Sequence, residues 1–299
     1  MAATDSARAR GGETTERYAK ARVWLSEELS LGEAESEGVE IEHSLIKGAQ
    51  HIEAVVSYYT IERLRARGAR IEILETDAEE AAAHNLEEGM TAWRREQEER
   101  QAAGKRGARL SSDTPQNFRL GSLGGYYKLN EIYAEFAKMR DFAPEIVAAP
   151  EEIGKSAEGR PLFAYRFSAE SSATSAAPEV LYTALHHARE PGSASTLIYF
   201  LWSLLERYKA GDAEARYLLR QRQIYVAPVV NPDGYLFNEM NFPNGGGMWR
   251  KNRSPNADGS FGVDLNRNYG TFLFWNANNN GSSTNPRSDT YRGVEPFSE

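Results

Sequence analysis

The strongest constraint on this chain is an alternation of strand and helix patterns that sets in after residue 129. Residues 131–140 carry an amphipathic helical pattern, 146–153 and 162–168 read as strands, and 180–185 form an apolar run expected to be a strand buried on both faces. Residues 193–208 place Leu197, Phe200, Leu201, Leu204 and Leu205 at helical spacing, 213–221 continue as helix, and 224–230 form a second buried strand. Such alternation implies an α/β domain, with a mixed, mostly parallel sheet and helices on both faces. Ligands of such sheets collect outside the carboxyl ends of the strands. Both buried strands run into polar turns there: His186-His187-Ala188-Arg189-Glu190 after the first, Asn231-Pro232-Asp233-Gly234-Tyr235 after the second.

The preceding residues behave differently. Residues 1–20 read as a polar or disordered N-terminus. Residues 21–76 alternate short patterns: strand-like at 21–25, helical at 31–38, strand-like at 39–43 and 51–57, helical at 61–68 and a strand at 69–74. This is a small βαβ-type α+β module. Residues 77–117 are rich in Glu, Ala, Arg and Gln and read as a charged helical linker with i,i+4 pairs, closed by turn residues at 111–115. The main domain spans 118–299. His43 and His51 have no acidic partner at ligand spacing and are read as structural, His84 as a surface residue of the linker.

Composition excludes several functions. A net charge of −8 argues against a nucleic-acid partner, which would require a basic patch. With no cysteine, disulfides and thiolate metal sites are ruled out. The first 20 residues lack the apolar core of a signal peptide, and no stretch approaches the ~18 apolar residues of a membrane helix. The expectation is a chain with no membrane partner, cytoplasmic as written.

His187 and Glu190 carry the first chemical signal. An imidazole and a carboxylate three residues apart, just past a strand end, can converge on one metal ion, and zinc accepts both donors. A lone H-x-x-E is common by chance, and a histidine hydrogen-bonded at a strand end is the plainer alternative. Three further clusters follow in order: Asn231-Pro232-Asp233-Gly234-Tyr235, Trp249-Arg250-Lys251-Asn252-Arg253 and Asp264-Leu265-Asn266-Arg267-Asn268.

This ordered set resembles the zinc metallocarboxypeptidases of the carboxypeptidase A, B and T type. So do the Ile153-Gly154-Lys155-Ser156 and Glu158-Gly159-Arg160-Pro161 segments, and Thr290-Tyr291-Arg292-Gly293 with Pro296-Phe297-Ser298-Glu299. The likeness runs from about Tyr126 to Glu299. It implies that His187 and Glu190 are zinc ligands, with one Zn2+ per complete protein. It implies that Asp264 accepts the other ring N–H of the ligand histidine, fixing its tautomer. Arg250 would help polarise the scissile carbonyl and hold the oxyanion, Asn266 and Arg267 would grip the substrate's free α-carboxylate, and Arg189 would contact the substrate further from its end. A grip on the terminal carboxylate restricts cleavage to the last residue of a peptide or protein. The 21–76 module is similar to small domains that precede the catalytic domain in bacterial relatives, many of them secreted or in the cell envelope.

The resemblance breaks at one point. No histidine follows His187, although the family's third ligand is a histidine well after the D-x-N-R segment. The glutamate that activates water and a substrate-facing tyrosine lie later still, so all three are expected beyond residue 299, in a C-terminal part missing from this chain. Glu295 and Glu299 have no spacing that supports them as substitutes. Two other readings stay open: a non-catalytic relative that binds peptide C-termini, and a zinc deacylase of N-acyl amino acids.

Overall fold

The structure is a computed structural model that describes residues 16–42, 44–47, 50–102, 114–169, 177–277 and 281–299. The described residues form two compact units. One comprises those up to Ala82 together with Met240–Phe242 and Gly246–Glu299; the other comprises Ala83–Glu239 with Pro243–Gly245.

The first unit opens with β1 (Tyr18–Trp24), α1 (Leu31–Glu37), β2 (Leu45–Lys47), β3 (His51–Ser57), α2 (Tyr58–Ala66) and β4 (Ile71–Glu75). Strand order is β2-β3-β1-β4, and all three pairings are antiparallel. Period-two alternation drives this sheet: Ala19, Ala21 and Val23 of β1 and Ile52 and Val56 of β3 point inward with no exposed surface. They pack on Ala34 of α1 and on Ile61 and Leu64 of α2. β1 begins at Tyr18, inside the segment expected to be a polar tail, because its first residues pair with Ser57 and Val56.

The strand expected at 39–43 is absent over 39–42; His43 lies outside the described residues. The reason is the end of α1. Ser30 and Glu33 form a capping box at its start. At its end Gly38 takes a left-handed φ of 113°, and the Val39 N–H returns to Ala34 O at 3.0 Å. That turn diverts the backbone out of the sheet and leaves Glu40 and Glu42 on an irregular segment.

Helix α3 (Ala78–Ala102) accounts for the charged linker as far as it is described, and His84 pairs with Glu88 at 3.2 Å on its exposed surface. The second unit continues with α4 (Leu129–Phe142), β5 (Glu151–Lys155), β6 (Pro161–Phe167), β7 (Glu179–Thr183), α5 (Pro191–Lys209), α6 (Ala213–Gln221), β8 (Gln223–Ala227) and α7 (Pro232–Asn241). Its sheet runs β5-β6-β8-β7. The sheet is mixed, with β7 parallel to β8 and the other two pairings antiparallel. Ile132, Phe136 and Met139 of α4, Ile198 and Leu201 of α5 and Val226 of β8 form its core. The strand expected at 146–153 is shorter and later, β5. Residues 146 and 147 instead bond to the end of β6.

One burial expectation is corrected. β8 is buried along most of its length, but β7 is not: Leu181 is 62% exposed and Tyr182 41%. Among the described residues β7 stands at the end of the sheet order, so an apolar run that reads as doubly buried is here an edge strand, with Tyr182 leaning on Phe200 of α5. The parallel pairing still matters for the site, since it sends the carboxyl ends of β7 and β8 the same way.

The described residues of 246–299 complete the first unit with little regular structure beyond a 3-10 turn, Leu265–Arg267, and a short α8 (Phe272–Trp275). Side chains replace ladders here. Asn268 donates through Nδ2 to the carbonyls of Arg292 and Glu295 at 2.8 and 2.9 Å, and the Asp264 N–H donates to Tyr291 O at 2.8 Å. Among the described residues no helix is long and apolar enough to cross a membrane.

Candidate active site

In the second unit, His186–Arg189 form a tight turn between β7 and α5, and Glu190 occupies the cap position before Pro191. This turn makes H-x-x-E converge. His187 Nδ1 and Glu190 Oε1 lie 2.8 Å apart, with the imidazole 4% exposed and the carboxylate 27%. Two zinc ligands at about 2.0–2.1 Å in tetrahedral arrangement stand roughly 3.3 Å apart. The pair therefore fits two corners of a zinc site after a small opening. Among the described residues, no group of three or more His, Cys, Asp or Glu could hold a metal ion. Arg189 is half-buried in the same turn. In a complete protein that supplies a third ligand, His187→Ala is expected to abolish zinc occupancy in equilibrium dialysis; retained metal would eliminate this pair as ligands.

The turn after β8 serves the fold. Asp233 is buried and accepts hydrogen bonds from Ser156 Oγ at 2.7 Å, the Glu158 N–H at 2.9 Å and Arg160 Nη1 at 2.6 Å. The N-P-D-G and E-G-R-P segments thus occur together because one ties down the hairpin formed by the other.

In the first unit, the W-R-K-N-R and D-L-N-R-N segments meet. Arg250 and Asp264 are both wholly buried, with Arg250 Nε and Nη2 donating to Asp264 Oδ2 at 3.1 and 3.0 Å. Asp264 Oδ1 accepts the Asn266 N–H at 2.9 Å, so this aspartate also caps the 3-10 turn that presents Asn266 and Arg267. The other two cations of W-R-K-N-R are structural. Arg253 lies between the rings of Trp249 and Phe261, 4.7 Å from each centroid. Lys251 donates to Pro286 O at 2.6 Å, and its burial lowers its pKa to about 8 against the opposing pull of Asp289 and Glu16.

Three acids of the N-terminal module sit on the arginines. Arg267 donates through Nη2 to Glu35 Oε1 and through Nη1 to Glu42 Oε1, both at 3.0 Å, while its Nε holds Gly281 O at 3.0 Å. Asn266 Nδ2 reaches the same Glu42 oxygen at 3.4 Å. The second Glu42 oxygen lies 3.5 Å from Arg250 Nη2, and Glu40 lies 3.9 Å from Arg250 Nη1. One carboxylate thus meets the two groups expected to grip a substrate's terminal carboxylate and the arginine expected to hold the oxyanion. Burial pushes the Glu35 carboxyl above the usual range against the opposing charge of Arg267, and Glu42 and Glu40 push it the same way. Gly281 is required here: a Cβ on it would lie 2.4 Å from a Glu35 oxygen, and its φ is 75°.

The sequence offered no sign of this contact. Glu35 and Glu42 lie more than 220 residues from their arginine partner, so no local spacing marks them. Glu35 at 9% and Glu40 at 5% exposure are buried charges, which only a packed structure can reveal.

Residues 132–299 match the Peptidase_M14 zinc carboxypeptidase family, and the chain belongs to that family. It is 38% identical over 146 residues to metallocarboxypeptidase A of Trichophyton tonsurans, an alignment covering 48% of this chain and 32% of that protein. It is 36% identical over 182 residues to carboxypeptidase A2 of Mus musculus, covering 60% and 40%. The chain spans about a third to two-fifths of these curated relatives. Two crystal structures share the fold over nearly all of it. Thrombin activatable fibrinolysis inhibitor covers 95% of this chain and 66% of that one at a TM-score of 0.60 and 23% identity. Carboxypeptidase A from Helicoverpa armigera covers 96% and 64% at 0.60 and 22%.

Proposed function

We propose that the protein is a zinc-dependent metallocarboxypeptidase that removes the last residue of peptides with a free C-terminus, and that its N-terminal module holds the carboxylate grip closed. The observation that carries this reading is Glu42. Its carboxylate stands in for a substrate's terminal carboxylate, with one oxygen on Arg267 and Asn266 and the other facing Arg250. A planar guanidinium in this geometry suits carboxylate recognition.

When bound at His187 and Glu190, zinc would supply an acidified water, its pKa lowered to about 7, and polarisation of the scissile carbonyl. This chain's own residues would supply substrate capture and charge stabilisation. Arg267 and Asn266 hold the terminal carboxylate and so fix which peptide bond is presented. Arg250, kept rigid by Asp264, donates to the developing oxyanion; losing such a donor costs about 10²–10³ in rate. Arg189 contacts the substrate further from its end. The proposal thus assigns capture, oxyanion stabilisation and part of the metal site to this chain.

A tethered acid competes with substrate at an effective concentration of about millimolar or more. Neutralising the tether with Glu35→Gln and Glu42→Gln together is expected to tighten binding of an N-acetyl amino acid at least about tenfold by calorimetry. The corresponding amide, which lacks the carboxylate, should bind neither chain. Equal affinity of parent and double variant for the acid would sink both the grip and its masking.

A further inference from the structure

Leu185 adopts a φ of +55° while only 1% exposed. A bulky residue in the left-handed region is an outlier that persists only where its surroundings over-determine it. Leu185 lies directly before the His186–Glu190 turn, and two side chains surround it. The Leu185 N–H donates to Ser193 Oγ at 3.0 Å, and that hydroxyl donates onward to Glu190 O at 2.8 Å. On the other side, the Asn231 N–H donates to Leu185 O at 3.0 Å and Asn231 Nδ2 donates to His186 O at 3.2 Å. Asn231 is itself anchored, since its Oδ1 accepts the Gly234 N–H at 2.9 Å in the first turn of α7.

Ser193 and Asn231 thus brace the turn from elements at the carboxyl ends of β7 and β8. Ser193, in the first turn of α5, ties the start of the loop to its end. Asn231 pins the two carbonyls between which the chain reverses. We propose that Asn231 and Ser193 are positioning residues for the metal site: they hold Leu185 in its left-handed turn and thereby set the approach of His187 to Glu190. The proposal rests on the reading of His187 and Glu190 as metal ligands. Neither positioning residue needs to touch metal or substrate. Their effect resembles that of other partners behind a metal site, whose loss weakens metal binding about 10–100-fold.

Asn231→Ser separates the two duties of Asn231. Serine still caps a helix N-terminus and adds no charge, but it has no amide donor for His186 O. Ser193→Ala removes the second tie, and Ser193→Thr retains a hydroxyl. Each variant is made in the full 299-residue chain. Amide hydrogen exchange is followed at Leu185 and Glu190, and Co2+ is titrated with paramagnetic broadening of amide signals at 187–190 as the readout. Exchange at both amides is expected to rise at least tenfold in Asn231→Ser and Ser193→Ala, with Co2+ affinity falling about 10–100-fold. Thermal midpoints should stay within a few degrees of the parent, and Ser193→Thr should restore the parent's behaviour.

Unchanged exchange would overturn the proposal whatever the metal does. Faster exchange with unchanged affinity would overturn it too, since the contacts would then be structural only. Absence of broadening at 187–190 in the parent would instead remove the ligand assignment and, with it, the role proposed here.

Discussion

Replacing Arg250 with methionine is expected to lower the unfolding free energy by about 3–5 kcal/mol, the cost of breaking a buried ion pair by removing one partner. Arg250 and Asp264 are both wholly enclosed, with two charge-assisted hydrogen bonds between them. Methionine keeps an unbranched apolar stem but ends short of the guanidinium, so it removes the charge and the donors together with some buried volume. Asp264 is then left as a buried carboxylate whose Oδ2 has lost its guanidinium, although its Oδ1 still holds the Asn266 N–H. Against a typical total stability of about 5–15 kcal/mol, this loss is large. Adding Asp264→Asn removes the stranded charge, so the double variant should recover more than half of the loss in denaturant unfolding. A single-variant loss below about 1 kcal/mol would show that solvent reaches this pair, and its role in holding an oxyanion donor rigid would be withdrawn.

The second large effect concerns Arg267. In the chain carrying Glu35→Gln and Glu42→Gln, adding Arg267→Ala should weaken binding of an N-acetyl amino acid by about 2 kcal/mol or more, roughly thirtyfold. Arg267 supplies both terminal nitrogens to carboxylates in the masked state, and its Nε is fixed on Gly281 O. A ligand carboxylate therefore meets a pre-oriented fork, with little side-chain entropy left to lose. Lysine at this position keeps the charge without the fork, and should recover only part of the affinity. Calorimetry with the acid and its amide decides the matter. If Arg267→Ala leaves acid binding intact, the α-carboxylate is held elsewhere and restriction to C-terminal residues loses its basis.

The two clusters of candidate residues were legible by different routes. Residues 187–190 stood out because a turn after a strand can join His187 to Glu190, whereas 264–267 stood out only through the family resemblance, and the structure adds the aspartate cap on the Asn266 N–H. The parallel crossover from β7 to β8 was legible for a similar reason, since helical periodicity between two apolar runs permits few other connections. The burial of β7 was not. An apolar run shows that a strand prefers cover, whereas a place at the end of a sheet decides whether it has any.

From its own order of residues the chain specified its α/β class, the positions of most of its helices and its membership of the zinc carboxypeptidase family. These depend on periodicity and on contacts a few residues long. Only the tertiary structure placed Glu35 and Glu42 on Arg267, buried Arg250 against Asp264, and held Leu185 between Ser193 and Asn231. Each of these is a long-range or desolvated contact between charged or strained groups. Its energy depends on how completely water is excluded, and no local pattern in the sequence encodes that exclusion.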